Sequence, residues 1–144
     1  MGALSNIPPH AVLPLGAYDG DSLKRAAERA DQRLLAVDLS GATDRDSVMG
    51  AIADAFALPP YFGRNLDALY DCVTYLQPLA DAEHPGFLVI LQNLPDTRNF
   101  GREQRNALLD VFRDAADFFY DRDTAFRVFY SVAGAPSDRA ASGA

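Results

Sequence analysis

Residues 87–91 read Phe-Leu-Val-Ile-Leu, five apolar side chains with no polar interruption. A strand sends successive side chains to opposite faces of its sheet, so such a run needs cover on both sides. Two further runs have strand character. One, at 34–39, is nearly all apolar and reads as buried on both faces; the other lies at 126–132. Stretches with helical spacing separate the three. Strands joined through helices make right-handed crossovers and a parallel sheet. The expected class is therefore α/β, a three-stranded parallel sheet packed with helices, with the 87–91 strand between the other two.

The remaining elements follow from punctuation. Residues 11–15 can form a short strand, which Pro14 confines to a sheet edge. Asp21 or Ser22 can cap a helix that runs to about Asp31 through Leu23, Ala26, Ala27 and Ala30. Thr43 or Asp44 can cap a second, with Val48, Ile52, Ala55 and Phe56 on one face. A long helix is expected over about 101–119, with Leu108, Val111, Phe112, Ala115 and Phe119 as its core stripe. Pro78, Pro85 and Gly86 mark a connection with room for one helical turn, and 93–99 reads as a loop. The Pro-rich start, before about residue 10, is expected to be mobile. The organisation is thus a tail and extension over 1–32 holding a helix and an edge strand, a main domain over 33–132, and a small, polar, disordered tail over 133–144.

A chain of 144 residues with 49% apolar content suffices for one compact domain with a core of its own and is too short for two domains. A net charge of −7 argues against sequence-independent nucleic-acid binding, which rests on cations at phosphates. It favours a partner with a basic surface, because long-range attraction speeds encounter. The single cysteine, Cys72, cannot close an intramolecular disulfide, which fits a reducing, cytoplasmic setting. No run is long enough to span a membrane, and the start has neither the basic region nor the apolar stretch of a signal peptide.

The segment 58–74 carries the most chemistry. A Pro-bounded aromatic loop leads into an amphipathic helix capped by Asn65, with Leu66, Leu69, Cys72, Val73 and Leu76 on its apolar face. Cys72 is expected there as a small buried hydrophobe. Asp67 and Asp71 lie four apart on the other side, a like-charge pair that costs a helix roughly 0.2–0.5 kcal/mol. Asp67 sits in the first turn, where the helix dipole favours an anion. With Tyr61 and Tyr70 nearby they form an acidic, aromatic knob suited to a cationic pocket. Enzyme readings have no support. No residue of a catalytic cleft accompanies the two carboxylates, and no phosphate loop or nucleophile elbow is present. His10 and His84 have no ligand-spaced neighbours, so no metal is expected.

The order Leu-Pro-x-Tyr-aromatic-Gly-x-Asn-Leu-Asp-Ala-Leu-aromatic-Asp-Cys-aliphatic-Thr, from Leu58 to Thr74, closely resembles the barstar family of intracellular barnase-type ribonuclease inhibitors. Val111-Phe112-Arg113-Asp114-Ala115 followed by 126–130 resembles that family's last helix and strand, and 35–41 resembles an early one. The resemblance covers roughly 33–132 and implies a barstar-like fold, no enzymatic activity and no cofactor. It implies a small basic ribonuclease or similar nuclease toxin as partner, no direct contact with nucleic acid or membrane, and a monomer when free. It carries partner contact to Tyr61, Gly63, Asn65, Asp67, Tyr70, Asp71, Thr74, Tyr75, Leu76 and Asp114. In this chain Tyr70 and Leu76 stand where the family has tryptophans, Tyr75 where it has glycine, Asp114 where it has glutamate, and Arg64 where it has an acidic residue. The alternative is a module of the same fold that binds another protein without inhibiting a ribonuclease.

Overall fold

The computed structural model describes residues 3–16, 18–59 and 63–134. After a 3-10 turn (Ala3–Asn6) come β1 (Val12–Pro14), α1 (Gly20–Arg29), β2 (Arg33–Asp38), α2 (Arg45–Phe56), α3 (Leu66–Thr74), β3 (Gly86–Leu94), α4 (Arg102–Tyr120) and β4 (Ala125–Val132). All strand pairs are parallel, in the order β1-β4-β3-β2. As the apolar run requires, β3 is internal, flanked by β2 and β4. The sheet has four strands and not three, because the extension's strand joins it. Val12 lies opposite Val128 and Pro14 opposite Tyr130. Pro14 cannot donate to a ladder, and the edge position lets the strand tolerate it.

Two cores account for the continuous apolar character of β3. Phe87, Val89 and Leu91 point into a core shared with Leu35, Val37, Phe126, Val128 and the buried faces of α2, α3 and α4. Leu88 and Ile90 point the other way, with Phe129, onto Leu23, Ala26 and Ala27 of α1 and onto Leu4, Ile7 and Ala11. The expected burial of residues 34–39 on both faces holds on one face only. Leu35 and Val37 are buried while Leu34 stays 39% exposed, because β2 is an outer strand. The start of the chain, expected to be mobile, is packed at Leu4 and Ile7, which are buried. The Phe126 amide donates to the Pro9 carbonyl at 2.7 Å and the Val128 amide to Ala11 at 2.9 Å. Arg127 Nε donates to the Ile7 carbonyl at 3.2 Å. The tail expected over 133–144 falls, from residue 135, outside the described residues.

Caps differ from expectation at one helix. α1 is capped by Asp19, which accepts from the Ser22 amide at 3.2 Å, and not by Asp21 or Ser22. α2 starts at a reciprocal box between Asp44 and Ser47. α3 starts as expected, with Asn65 Oδ1 accepting from the Ala68 amide at 2.8 Å. No helical turn forms between α3 and β3.

Two outcomes follow from these contacts. Gly86 opens β3 in the buried layer, where an added Cβ would run into Gln32 Oε1 and lie 2.8 Å from Ala125 Cβ. Gln32 is itself held, its Nε2 donating to the His84 carbonyl at 2.8 Å. Gly86→Ala is therefore expected to destabilise the fold by about 1–3 kcal/mol in urea denaturation, the cost of overpacking. The second concerns acid. The hydroxyl and amide of Ser47 hold the Asp44 carboxyl below its ordinary value of 3.8. A carboxyl depressed in the folded state contributes stability above its unfolded pKa and loses it as pH falls through the folded value. Asp44→Asn keeps a capping oxygen but cannot titrate. It is expected to flatten the acid limb of a stability–pH curve below about pH 4.

Candidate partner-binding site

The two acidic helices lie side by side. α3 packs against α4, burying Leu69 and Val73 and turning its polar side outward. Between them runs a groove lined by Leu66, Asp67, Tyr70 and Asp71 of α3 and by Val111, Asp114, Asp117 and Phe118 of α4, closed by Asp121 and Arg122. The ring of Tyr70 meets that of Phe118 edge-on, with centroids 6.4 Å apart. The groove thus has an aromatic floor and walls of carboxylate.

Five aspartates line it, and its one cation among the described residues is already engaged. The Arg122 guanidinium sits 3.6 Å over the Phe118 ring and donates to the Phe118 carbonyl at 2.8 Å. The ion pairs among the described residues are Arg64–Asp46, Arg105–Asp96 and Arg113–Asp110, and none reaches a groove carboxylate. Arg64, adjacent in sequence to the acidic helix, is directed away from it. Its backbone takes a left-handed turn (φ 53°) and its guanidinium meets Asp46 of α2 at 3.0 Å.

Of the residues expected to contact a partner, Asp67, Tyr70, Asp71 and Asp114 are brought together in this groove. Asp67, Asp71 and Asp114 are exposed and Tyr70 is half-buried. Gly63 and Asn65 lie exposed at the helix entrance, where Asn65 is committed to capping. Thr74, Tyr75 and Leu76 lie at the helix exit. The Thr74 hydroxyl donates to the Tyr70 carbonyl at 2.8 Å, Tyr75 is almost wholly exposed, and Leu76 packs back against the core. Tyr61 and its neighbour Phe62 lie outside the described residues.

The structure adds Asp117, Phe118 and Asp121. Their signal was in the sequence: Asp114, Asp117 and Asp121 recur at three- and four-residue steps, one face of a helix. What the sequence withheld was that this face borders α3. A larger concavity lies at the starts of β3 and β4, but its charges balance, Arg29, Arg122 and Arg127 against Asp31, Glu83 and Asp123. Arg127 there is engaged in tethering the N-terminal segment. Among the described residues no group of three His, Cys, Asp or Glu is placed to hold a metal, and no helix is long and apolar enough to cross a membrane.

Residues 32–131 match the family model Barstar, described as barstar (barnase inhibitor). No curated protein matches the chain.

Cys72 is half-buried, not fully buried as its apolar neighbours suggested, because it sits at the flank of the Leu69–Val73 stripe. Burial pushes its thiol up, and the Asp71 charge adds to the shift. The thiolate is the reactive form. Slow labelling by a thiol reagent at neutral pH is expected, and a modest acceleration in Asp71→Asn, measured as labelling rate against pH.

Proposed function

Since the chain belongs to the barstar family, we propose that it binds and blocks a small basic ribonuclease of the barnase type, or a nuclease toxin with a similar site. The observation that carries the reading is the groove: five carboxylates without an ion-pair partner among the described residues, on two packed helices, with the one described cation of its lining turned onto an aromatic ring. Charge of one sign along a cleft focuses the field and attracts an opposite surface. A ribonuclease active site is such a surface, since it must bind phosphates.

In this mechanism α3 and the loop before it enter the enzyme's cleft. Asp71, midway along the helix, stands in for a substrate phosphate and pairs with an arginine, lysine or histidine of the enzyme. Asp67 adds a second anionic contact at the rim, and Asp114 a third from α4. Gly63 and Asn65 shape the entrance, and Tyr61 stacks on a ring of the enzyme. The inhibitor acts as a monomer inside the cell, with no cofactor and no contact with RNA. Inhibition is steric and electrostatic, because the enzyme's phosphate site is occupied.

A binding module of the same fold without inhibition would present a neutral, apolar patch here, and the groove is acidic. Acid–base hydrolysis needs two carboxylates flanking a bond from opposite sides. Asp67 and Asp71 stand side by side along one helix, both facing water.

Asp71→Ala should leave the fold within about 1 kcal/mol of the parent, since a like-charge pair is relieved and no ion pair is lost. It should weaken inhibition by about 2–5 kcal/mol, mainly through a faster off-rate, a range drawn from interfacial charge pairs of which barnase–barstar is itself the measured example. Asp114→Ala should act mostly on the on-rate and on salt sensitivity. Stopped-flow binding and RNA-cleavage assays with a small basic ribonuclease, at low and high salt, check both. If Asp71→Ala inhibits like the parent, α3 is not the inhibitory element.

A further inference from the structure

Tyr75 is 84% exposed, far above the next large apolar side chains among the described residues, Tyr120 at 49% and Leu79 at 45%. Single exposed apolar residues need no explanation. This one differs in how it is held. It is the C-cap of α3, and its amide donates to the Cys72 carbonyl at 3.3 Å. Its own carbonyl accepts from Gln77 Nε2 at 3.3 Å. Immediately before it, the Thr74 hydroxyl closes onto the Tyr70 and Asp71 carbonyls. Immediately after it, Leu76 turns into the core, its amide bonded to the Val73 carbonyl at 3.1 Å. The backbone is fixed on both sides, so the ring is presented from a rigid base. An aromatic side chain on such a base loses little freedom when it is buried by a partner.

Its position relative to the acidic face is equally specific. Asp67, Asp71 and Tyr75 recur every four residues, so they form one stripe along α3. Tyr75 ends that stripe one turn beyond Asp71, a rise of about 6 Å. Charge and aromatic ring therefore meet a partner on the same approach.

We propose that Tyr75 is the apolar anchor of this surface and sets which enzymes it accepts. This rests on the inhibitor reading and narrows it. The partner is a small basic protein whose phosphate-binding cations are bordered, about one helical turn away, by an apolar or aromatic slot that takes a tyrosine ring. Interfaces concentrate their binding energy in a few such residues, with tyrosine among the most frequent. Asp71 would supply charge recognition common to phosphate-binding clefts. Tyr75 would distinguish between them by shape.

The test uses the full chain and a panel of small basic ribonucleases, barnase included, each assayed for inhibition of RNA cleavage across a range of salt. For any enzyme that the parent inhibits, Tyr75→Ala is expected to weaken inhibition by about 10- to 100-fold with the salt dependence unchanged, and Tyr75→Phe to retain it. Asp71→Ala is expected to weaken inhibition and also to flatten the salt dependence. Thermal denaturation of each variant separates lost binding from lost fold. If Asp71→Ala abolishes inhibition while Tyr75→Ala matches the parent, the anchor is refuted and the inhibitor reading stands. If no enzyme of the panel is inhibited, the inhibitor reading fails and the anchor with it; if Asp71→Ala and Tyr75→Ala both inhibit like the parent, α3 is not the inhibitory element and the anchor is refuted.

Discussion

Burying β3 on both faces takes two layers of helix, and the chain draws them from different places. One layer, α2, α3 and α4, comes from the crossovers that link β2, β3 and β4. The other comes wholly from sequence that precedes β2: the 3-10 turn, the segment leading to β1, and α1. The family match begins at residue 32, one residue before β2. The extension is therefore no appendage. Without it Leu88, Ile90 and Phe129 would face water, and β4 would present an open edge to other chains. A short β1 containing a proline covers that edge without offering a good edge of its own.

The acidic groove exists because of this packing. α4 lies against β4 and the first core, and α3 is held mainly by α4. Docking two helices that each carry an acidic face brings like charges together, which works against stability. The cost is modest while the carboxylates stay in water, a few tenths of a kcal/mol per helical pair. The apolar seam beneath, Leu69 and Val73 against the α4 stripe, offsets it easily, since each buried side chain of this size is worth about 1.5–3 kcal/mol. Sites that bind charged partners commonly trade stability in this way.

How much could be read beforehand depended on whether the signal was local. The β3 run, the Asn65 cap and the stripe of α4 are local patterns, and they appear where their spacing puts them. The short strand at 11–15 and its edge placement were legible from Pro14, but its joining the main sheet was not, because that depends on β4 having an edge to pair with. The half-exposure of β2 is likewise a matter of neighbours, since nothing in Arg-Leu-Leu-Ala-Val-Asp states that it is outermost. At the site, the α3 contribution was legible because loop, cap and carboxylates are consecutive. Asp117 and Asp121 were not, because an acidic helix face reads as solvent-facing until the neighbour it borders is known.

The same locality bears on why α3 can serve as a recognition element. A helix of nine residues is marginal by itself. Here both ends are tied, Asn65 at the start and Thr74 with the Tyr75 amide at the end, while the buried face is fixed to α4. Arg64, the cation best placed in sequence to neutralise Asp67, is instead held by Asp46 on another helix. Surface ion pairs of this kind add little stability, so the consequence of that pair lies elsewhere: it leaves the acidic stripe unscreened by its own neighbour. A partner therefore meets charges already in place on a backbone already ordered. Association then costs less in conformational entropy, and the remaining free energy can go into discriminating one cationic surface from another.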